Sequence, residues 1–231
     1  MTRQANEASA IVFDIDGTLL STGGAGGEAW ARAFDEIYHT RANIQDHTEA
    51  GMVDHEVARR TFAAVLGREP EEPELMRLMT RYLSYLPETV AASQSYRLMP
   101  QIPLLLEQLT DAGFLLGLTT GNLEAAAHVK LGRGGLNHFF CFGGYGSDSP
   151  DRTVLTRRSI ERAAVIAGRP IDPATVLVIG DTPHDVAAAH GAGAVGVAVA
   201  TGHFSRDELA ESGADHVLGS FDEPLPLQIS A

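Results

Sequence analysis

A single cysteine, Cys141, occurs in 231 residues, so no disulfide can form within the chain, and a reducing compartment suits it. Lysine is as scarce: Lys130 stands alone, and 17 basic residues face 30 acidic ones. The net charge of −13 argues against nucleic acid or an anionic membrane as partner, because both demand basic surface. No apolar run reaches the ~18 residues of a membrane span, and the opening stretch MTRQANEASA lacks a long apolar segment. Repeats and low-complexity tracts are missing as well. The expectation is a soluble, cytoplasmic protein.

What remains is globular in composition, with 44% hydrophobic and 20% charged residues, enough for a sizeable core in one or two domains. Apolar β-rich runs recur at 10–13, 114–119, 139–142, 175–179, 195–199 and 216–218. Helical patterns separate most of them, and several are apolar on both faces, as parallel strands covered by helices are. The fold class is therefore α/β, with a doubly wound, Rossmann-like parallel sheet. Between the first and second runs no strand pattern appears. A glycine-rich STGGAGG leads there into helical stripes: Trp30, Phe34, Ile37 and Tyr38; Ala58, Phe62, Val65 and Leu66; Leu75, Leu78, Met79, Tyr82, Leu83 and Leu86. Residues 20–95 read as an inserted helical subdomain hinged on a flexible segment at 23–27, with 1–19 and 96–231 forming the core. The alternative is that these helices are one face of that core.

The stretch IVFDIDGTLL interrupts a run of β-formers with Asp14 and Asp16 and ends in Gly17, Thr18 and two leucines. Strands disfavour aspartate, and charges at i and i+2 share one face of a strand. Two adjacent buried carboxylates are costly to desolvate, so something positive is expected between them. In an open parallel sheet, ligands sit at the carboxyl ends of the strands. The second strand ends in Thr119, Thr120, Gly121 and Asn122, and the third is followed by GGYGSDSPDR, which ends in Arg152. The fourth runs into GDTPHD, with Asp181 and Asp185. Acids, a hydroxyl and a guanidinium converging on one crevice suit a hard cation held by oxygens, with a phosphate beside it.

DIDGTLL, LTTGN and VIGDTPHD, in that order and each at a strand end, resemble the haloacid dehalogenase-like superfamily, and within it the phosphoglycolate phosphatase-like hydrolases. The resemblance covers essentially the whole chain and implies a helical cap inserted after the first strand. It implies that Asp14 is the nucleophile, forming an aspartyl phosphate, and that Asp16 protonates the leaving alcohol and then deprotonates water. It also implies magnesium bound by Asp14, the main-chain carbonyl of Asp16 and Asp181, completed by waters and a phosphate oxygen. Thr120, rather than Thr119, is expected to touch the phosphate, because it abuts the Gly121-Asn122 turn whose amides point at an anion. The alternative is that Thr120 or Asn122 only caps the next helix. Asp185 carries two readings, a metal-shell role through water or the closing acid of a cap in which Thr182 is N-cap and Pro183 N1.

The family's usual lysine, commonly in a Lys-Pro pair before the last motif, is missing from its place. Arg152 is taken as the stand-in, since it neutralises charge and its fork can grip two phosphate oxygens. Lys130 is disfavoured: eight residues past Asn122, at about 1.5 Å per residue, it is expected roughly 12 Å down the helix, beyond easy reach. His184 reads as an exposed first-turn residue, His203 as rim, and Arg157, Arg158 and Arg162 as a solvated helix face.

The function expected is a magnesium-dependent phosphatase acting on a small phosphorylated metabolite, with no nucleic acid and no membrane as partner. Asp16 argues against a dehalogenase, which lacks it, and the lack of lysine in 20–95 argues against a Schiff-base hydrolase. A β-phosphoglucomutase-like transferase, or a non-catalytic binding protein on the same fold, is the alternative. Substrate choice is expected from 23–28, 51–55, or cap arginines such as Arg59 and Arg60.

Overall fold

The four residues of β1, Ala10–Phe13, are all buried, and their alternation decides the layering of the molecule. Ala10 and Val12 point to one side, against Ile160 and Ala163 of α6 (Arg152–Ala167) and Ala189 and Ala192 of α7 (Pro183–Ala192). Ile11 and Phe13 point to the other, against Leu106 and Leu109 of α4 (Ile102–Asp111) and Ala127 and Leu131 of α5 (Glu124–Arg133). A strand with period-two side chains and helices on both faces must be apolar throughout, as this one is.

This computed structural model describes residues 9–227, so most of the opening stretch considered above (residues 1–8) lies outside the described residues. The main sheet has six parallel strands: β4 (Leu116–Thr120), β5 (Phe142–Tyr145), β6 (Val176–Gly180), β7 (Val195–Val199) and β8 (His216–Leu218) join β1. Their order is β5-β4-β1-β6-β7-β8, with Phe13 opposite Leu118 on one side and Ile179 on the other. The chain winds outward from β1 in one direction through β4 and β5, then in the other through β6 to β8. The crevice at the carboxyl ends of β4, β1 and β6 is the switch point where such sheets bind ligands. The expected doubly wound α/β core is the observed one. Among the described residues no helix is long and apolar enough to cross a membrane.

Two departures have physical causes. The third strand of the core sheet is 142–145 rather than 139–142, which brings Gly143 and Gly144 inside it, against their poor strand propensity. A Cβ at Gly144 would lie 1.9 Å from the Leu155 carbonyl oxygen, so α6 packs on β5 only because that residue is glycine. The other departure is a two-stranded antiparallel ribbon, β2 (Leu20–Ser21) with β3 (Arg97–Leu98), too short to leave a periodic signature.

Beyond the ribbon lie α1 (Ala25–Tyr38), α2 (Asp54–Leu66) and α3 (Glu72–Ala92). The stripes read from the sequence form their common core, where Trp30 stacks on Tyr82 at 4.1 Å between ring centroids. The glycine run at its entrance is divided. Gly23 and Gly24 take left-handed φ of 62° and 88°, whereas Gly26 and Gly27 already belong to the first turn of α1. The expected loop at 23–27 is thus shorter than the glycines suggest.

Gly144→Ala is expected to lower Tm by about 5–10 °C, the scale of overpacking in a domain of this size. Gly26→Ala, with nothing within 4 Å of the new carbon, is expected to hold or raise Tm. Scanning calorimetry of both variants checks the pair, and equal Tm values would show that the β5–α6 contact is not tight.

Candidate active site

The end of β1 is held in register by the Asp14 amide, which donates to the Ile179 carbonyl at 2.8 Å. The chain then turns sharply through Gly17, whose φ of 89° and lack of a side chain are both required. A Cβ there would lie 2.2 Å from Asp181 Oδ2. The two aspartates before the turn have different partners, Arg152 for Asp14 and Lys130 with Asn122 for Asp16.

Asp14 joins Asp181 and Asp185, whose carboxylates lie within 4.8 Å of one another. All three are buried, at 4%, 2% and 2% exposure. Thr18 donates its hydroxyl to Asp181 Oδ1 at 2.9 Å, fixing that side chain. Arg152 is the cation facing this group. Its Nη2 lies 3.4 Å from Asp14 Oδ1 and also contacts Asp185 Oδ1, while its Nη1 donates to the Gly51 carbonyl at 2.7 Å. Arg152 is the first residue of α6, with Asp151 as N-cap, rather than part of a loop. Asp185 closes the cap that was one of the two readings offered for it. Its Oδ2 accepts from the Thr182 amide at 3.0 Å and hydroxyl at 2.7 Å, closing the capping box, while Oδ1 faces the acid cluster.

Burial, and then the charge of Asp185, push the Asp14 carboxyl up to about 7, with Arg152 pulling the other way. Asp181 is pushed up to about 8, first by burial and then by Asp185 and Asp14, against the Thr18 hydroxyl. One guanidinium does not balance three buried carboxylates, and every donor atom in the cluster is a hard oxygen. The donor set therefore fits a divalent cation such as magnesium.

Asp16 faces the other way. Its Oδ2 accepts from Lys130 Nζ at 2.6 Å and from Asn122 Nδ2 at 2.8 Å, and Lys130 also donates to Asn122 Oδ1 at 2.5 Å. Lys130 is buried at the site, contrary to the expectation that it lies out of reach. The helix begins at Glu124 with Leu123 as N-cap, so Lys130 lies six residues, roughly 9 Å at about 1.5 Å per residue, past the helix start. The side chain leans toward the helix N-terminus, and its four-carbon stem closes the rest. Arg152 is thus not a lone stand-in, because each aspartate has its own cation.

Thr120 Oγ1 accepts from Asn122 Nδ2 at 2.8 Å and is buried at the crevice, whereas Thr119 Oγ1 bonds Thr156 on α6 at 3.0 Å. Neither Thr120 nor Asn122 caps α5. The acceptor there is instead a residue the sequence did not mark, Asp54, the first residue of α2. Its Oδ2 accepts from the Leu123 amide at 2.8 Å, and its own amide donates to the Gly121 carbonyl at 2.8 Å. Burial raises the Asp54 carboxyl to about 6, opposed by Lys130 and the Leu123 amide. No local pattern announces this acid, although it falls in the stretch 51–55 singled out for substrate choice. Thr18, in the DGT triplet, was likewise passed over.

A cavity of about 350 Å³ opens between the inserted helices and the core, lined by Asp16, Trp30, Asp54, Tyr82, Lys130 and His203 among others. His203 is exposed at its rim, as expected, and His184 is exposed on α7. Arg59 and Arg60 are engaged by Glu56, and Arg158 by Glu161, so none of these supplies the site.

Comparison with known proteins agrees with this geometry. The family model of the haloacid dehalogenase-like hydrolases matches residues 8–193. A phosphoglycolate phosphatase of Synechococcus elongatus is 30% identical over 210 residues, covering 90% of this chain and 92% of that protein. An N-acetylmuramic acid 6-phosphate phosphatase of Pseudomonas aeruginosa is 29% identical over 233 residues, covering 94% of this chain and 92% of that protein. Among solved structures, one described as a predicted phosphoglycolate phosphatase from Haemophilus somnus superposes with a TM-score of 0.72 at 22% identity, over 92% of this chain and 94% of that one.

Carboxyls raised to about 7 and about 8 keep protons in the folded chain that the unfolded chain releases near the ordinary aspartate value of 3.8. Stability without a cation should therefore fall as pH rises from about 5 through 8. A bound divalent cation offsets the loss, so millimolar magnesium is expected to raise Tm more at about pH 8 than at about pH 5.5. A magnesium effect independent of pH, measured by scanning fluorimetry against chelator, would count against the acid cluster as its site.

Proposed function

The chain belongs to the haloacid dehalogenase-like hydrolase family and is a phosphoric monoester hydrolase, and we propose that it works through an aspartyl phosphate with magnesium as its cation. The observation that carries this reading is the division of the two aspartates after β1. Asp14 sits among buried acids with Arg152 against it, and Asp16 is held at the cavity by Lys130 and Asn122.

Asp14, Asp181 and Asp185, together with the main-chain carbonyl of Asp16, would hold the ion. When bound, magnesium neutralises the cluster and withdraws charge from the phosphoryl oxygens. The remaining steps belong to side chains. An Asp14 oxygen attacks phosphorus, and the bond to the leaving oxygen breaks. Asp16 gives its proton to that oxygen, releasing the alcohol. Asp16, now a carboxylate, takes a proton from water, whose oxygen attacks phosphorus and frees Asp14 and inorganic phosphate. Arg152 orients Asp14 and offers its fork to a phosphoryl oxygen. Thr120, whose oxygen already accepts from Asn122, has its hydroxyl hydrogen free for another. Lys130 and Asn122 aim Asp16.

The substrate class is a small phosphorylated metabolite whose alcohol half occupies the cavity beside Trp30 and Tyr82. The named relatives, a phosphoglycolate phosphatase and an amino-sugar phosphate phosphatase, bracket the size range worth screening.

Purified protein is expected to release inorganic phosphate from p-nitrophenyl phosphate with magnesium, to stop with chelator, and to prefer one member of a phosphorylated-metabolite panel. Lys130→Ala and Arg152→Ala are each expected to cost on the order of a hundredfold in kcat, the scale for one lost transition-state contact. Full turnover in excess chelator, or a harmless loss of both cations in folded protein, would overturn the reading.

A further inference from the structure

Asp54 has no part in the chemistry just described, yet it is the point where the inserted helices engage the phosphate-binding turn. It opens α2, and its carboxylate crosses to the amide of Leu123, the N-cap of α5. Leu123 has no side-chain group with which to cap its own helix; Asp54 accepts from its amide, while Ser147 Oγ of the core accepts from the Glu124 amide at 3.3 Å. A negative group between two helix N-termini is favourable to both. The main chain follows the same path. The Asp54 amide bonds the Gly121 carbonyl, and a Cβ at Gly121 would lie 2.6 Å from the Met52 carbonyl oxygen. Three residues before Asp54, the Gly51 carbonyl accepts from Arg152 at 2.7 Å. Residues 51–54 therefore rest on Thr120–Leu123 and on Arg152 together.

We propose that Asp54 is a positioning residue, through which docking of the inserted helices sets the geometry of the Thr120–Asn122 turn and of Lys130. The turn and Lys130 flank the same capped helix end. With the carboxylate in place, the turn's amides, the Thr120 hydroxyl and the Lys130–Asn122–Asp16 chain share one fixed frame. Without it, the Leu123 amide loses its acceptor, Ser147 Oγ on the Glu124 amide remains, and the neighbouring Asn122, which links Thr120 to Lys130 and Asp16, is less firmly placed. The nearby charge acts in the same direction, because Lys130 responds to Asp54 as well as to Asp16. The Asp54 carboxylate thereby ties the inserted helices to the catalytic groups beside the main-chain bonds of Asp54 to Gly121 and of Gly51 to Arg152.

The kinetic arm of the test rests on the phosphatase reading, whereas the exchange arm does not. Asp54→Ala is expected to lower kcat/KM for p-nitrophenyl phosphate ten- to a hundredfold, with Tm within a few degrees of the parent. Hydrogen exchange at the peptide containing Leu123 should quicken in the same variant. Asp54→Asn, whose amide oxygen can still accept from Leu123, should recover the exchange protection and most of the turnover. Unchanged exchange at Leu123, or a lowered Tm with parental kcat/KM, would overturn the proposal and leave Asp54 a plain helix cap. A parent protein inert toward phosphate esters would sink the phosphatase reading alone, with the exchange comparison still deciding the contact.

Discussion

Three carboxylates buried within 4.8 Å of one another at the end of the central strand are the constraint on which the rest of this molecule turns. Such a group is unfavourable in isolation, because each charge is desolvated and repelled by the other two. The surroundings answer it piece by piece. Gly17 and Gly202 leave room for Asp181 where a Cβ would collide with it, Thr18 hydrogen-bonds it, and Arg152 supplies one positive charge. The remainder of the imbalance is what suits the cluster to a cation. A stability penalty carried at a strand end is a common mark of a functional site.

The sheet itself was legible for a plain reason. Parallel strands buried on both faces must be apolar throughout, so β1, β6 and β7 stand out from the helices between them. Polar residues that follow such runs collect at one edge, which is why Asp14, Asp16, Thr120, Asn122, Arg152, Asp181 and Asp185 could be grouped before any coordinate was known. β5 was shifted because Gly143 and Gly144 answer to the approach of α6 rather than to strand propensity. The β2–β3 ribbon left no trace because two residues have no period.

The misreading of Lys130 has a similar origin. The helix starts at Glu124 rather than at Asn122, and the amide of its N-cap, Leu123, is held by Asp54, an acid 69 residues earlier in the chain. A cap supplied from a distant part of the chain cannot be read from local sequence. The scarcity of lysine was itself informative, since a chain with one lysine that buries it against two polar partners has a use for it there. The inserted helices thus contribute more than a cavity wall with Trp30 and Tyr82, because their entry turn completes the core's own helix.

The central claim is that the buried acids are arranged to take up one divalent cation beside Asp14. Titration calorimetry of magnesium into the cation-free protein near neutral pH, repeated in buffers of different ionisation enthalpy, measures that binding and the protons released with it. The account predicts one site, proton release on binding from carboxyls raised toward neutrality, and loss of the site in Asp181→Asn. Binding that releases no protons and survives Asp181→Asn in a folded protein would contradict it.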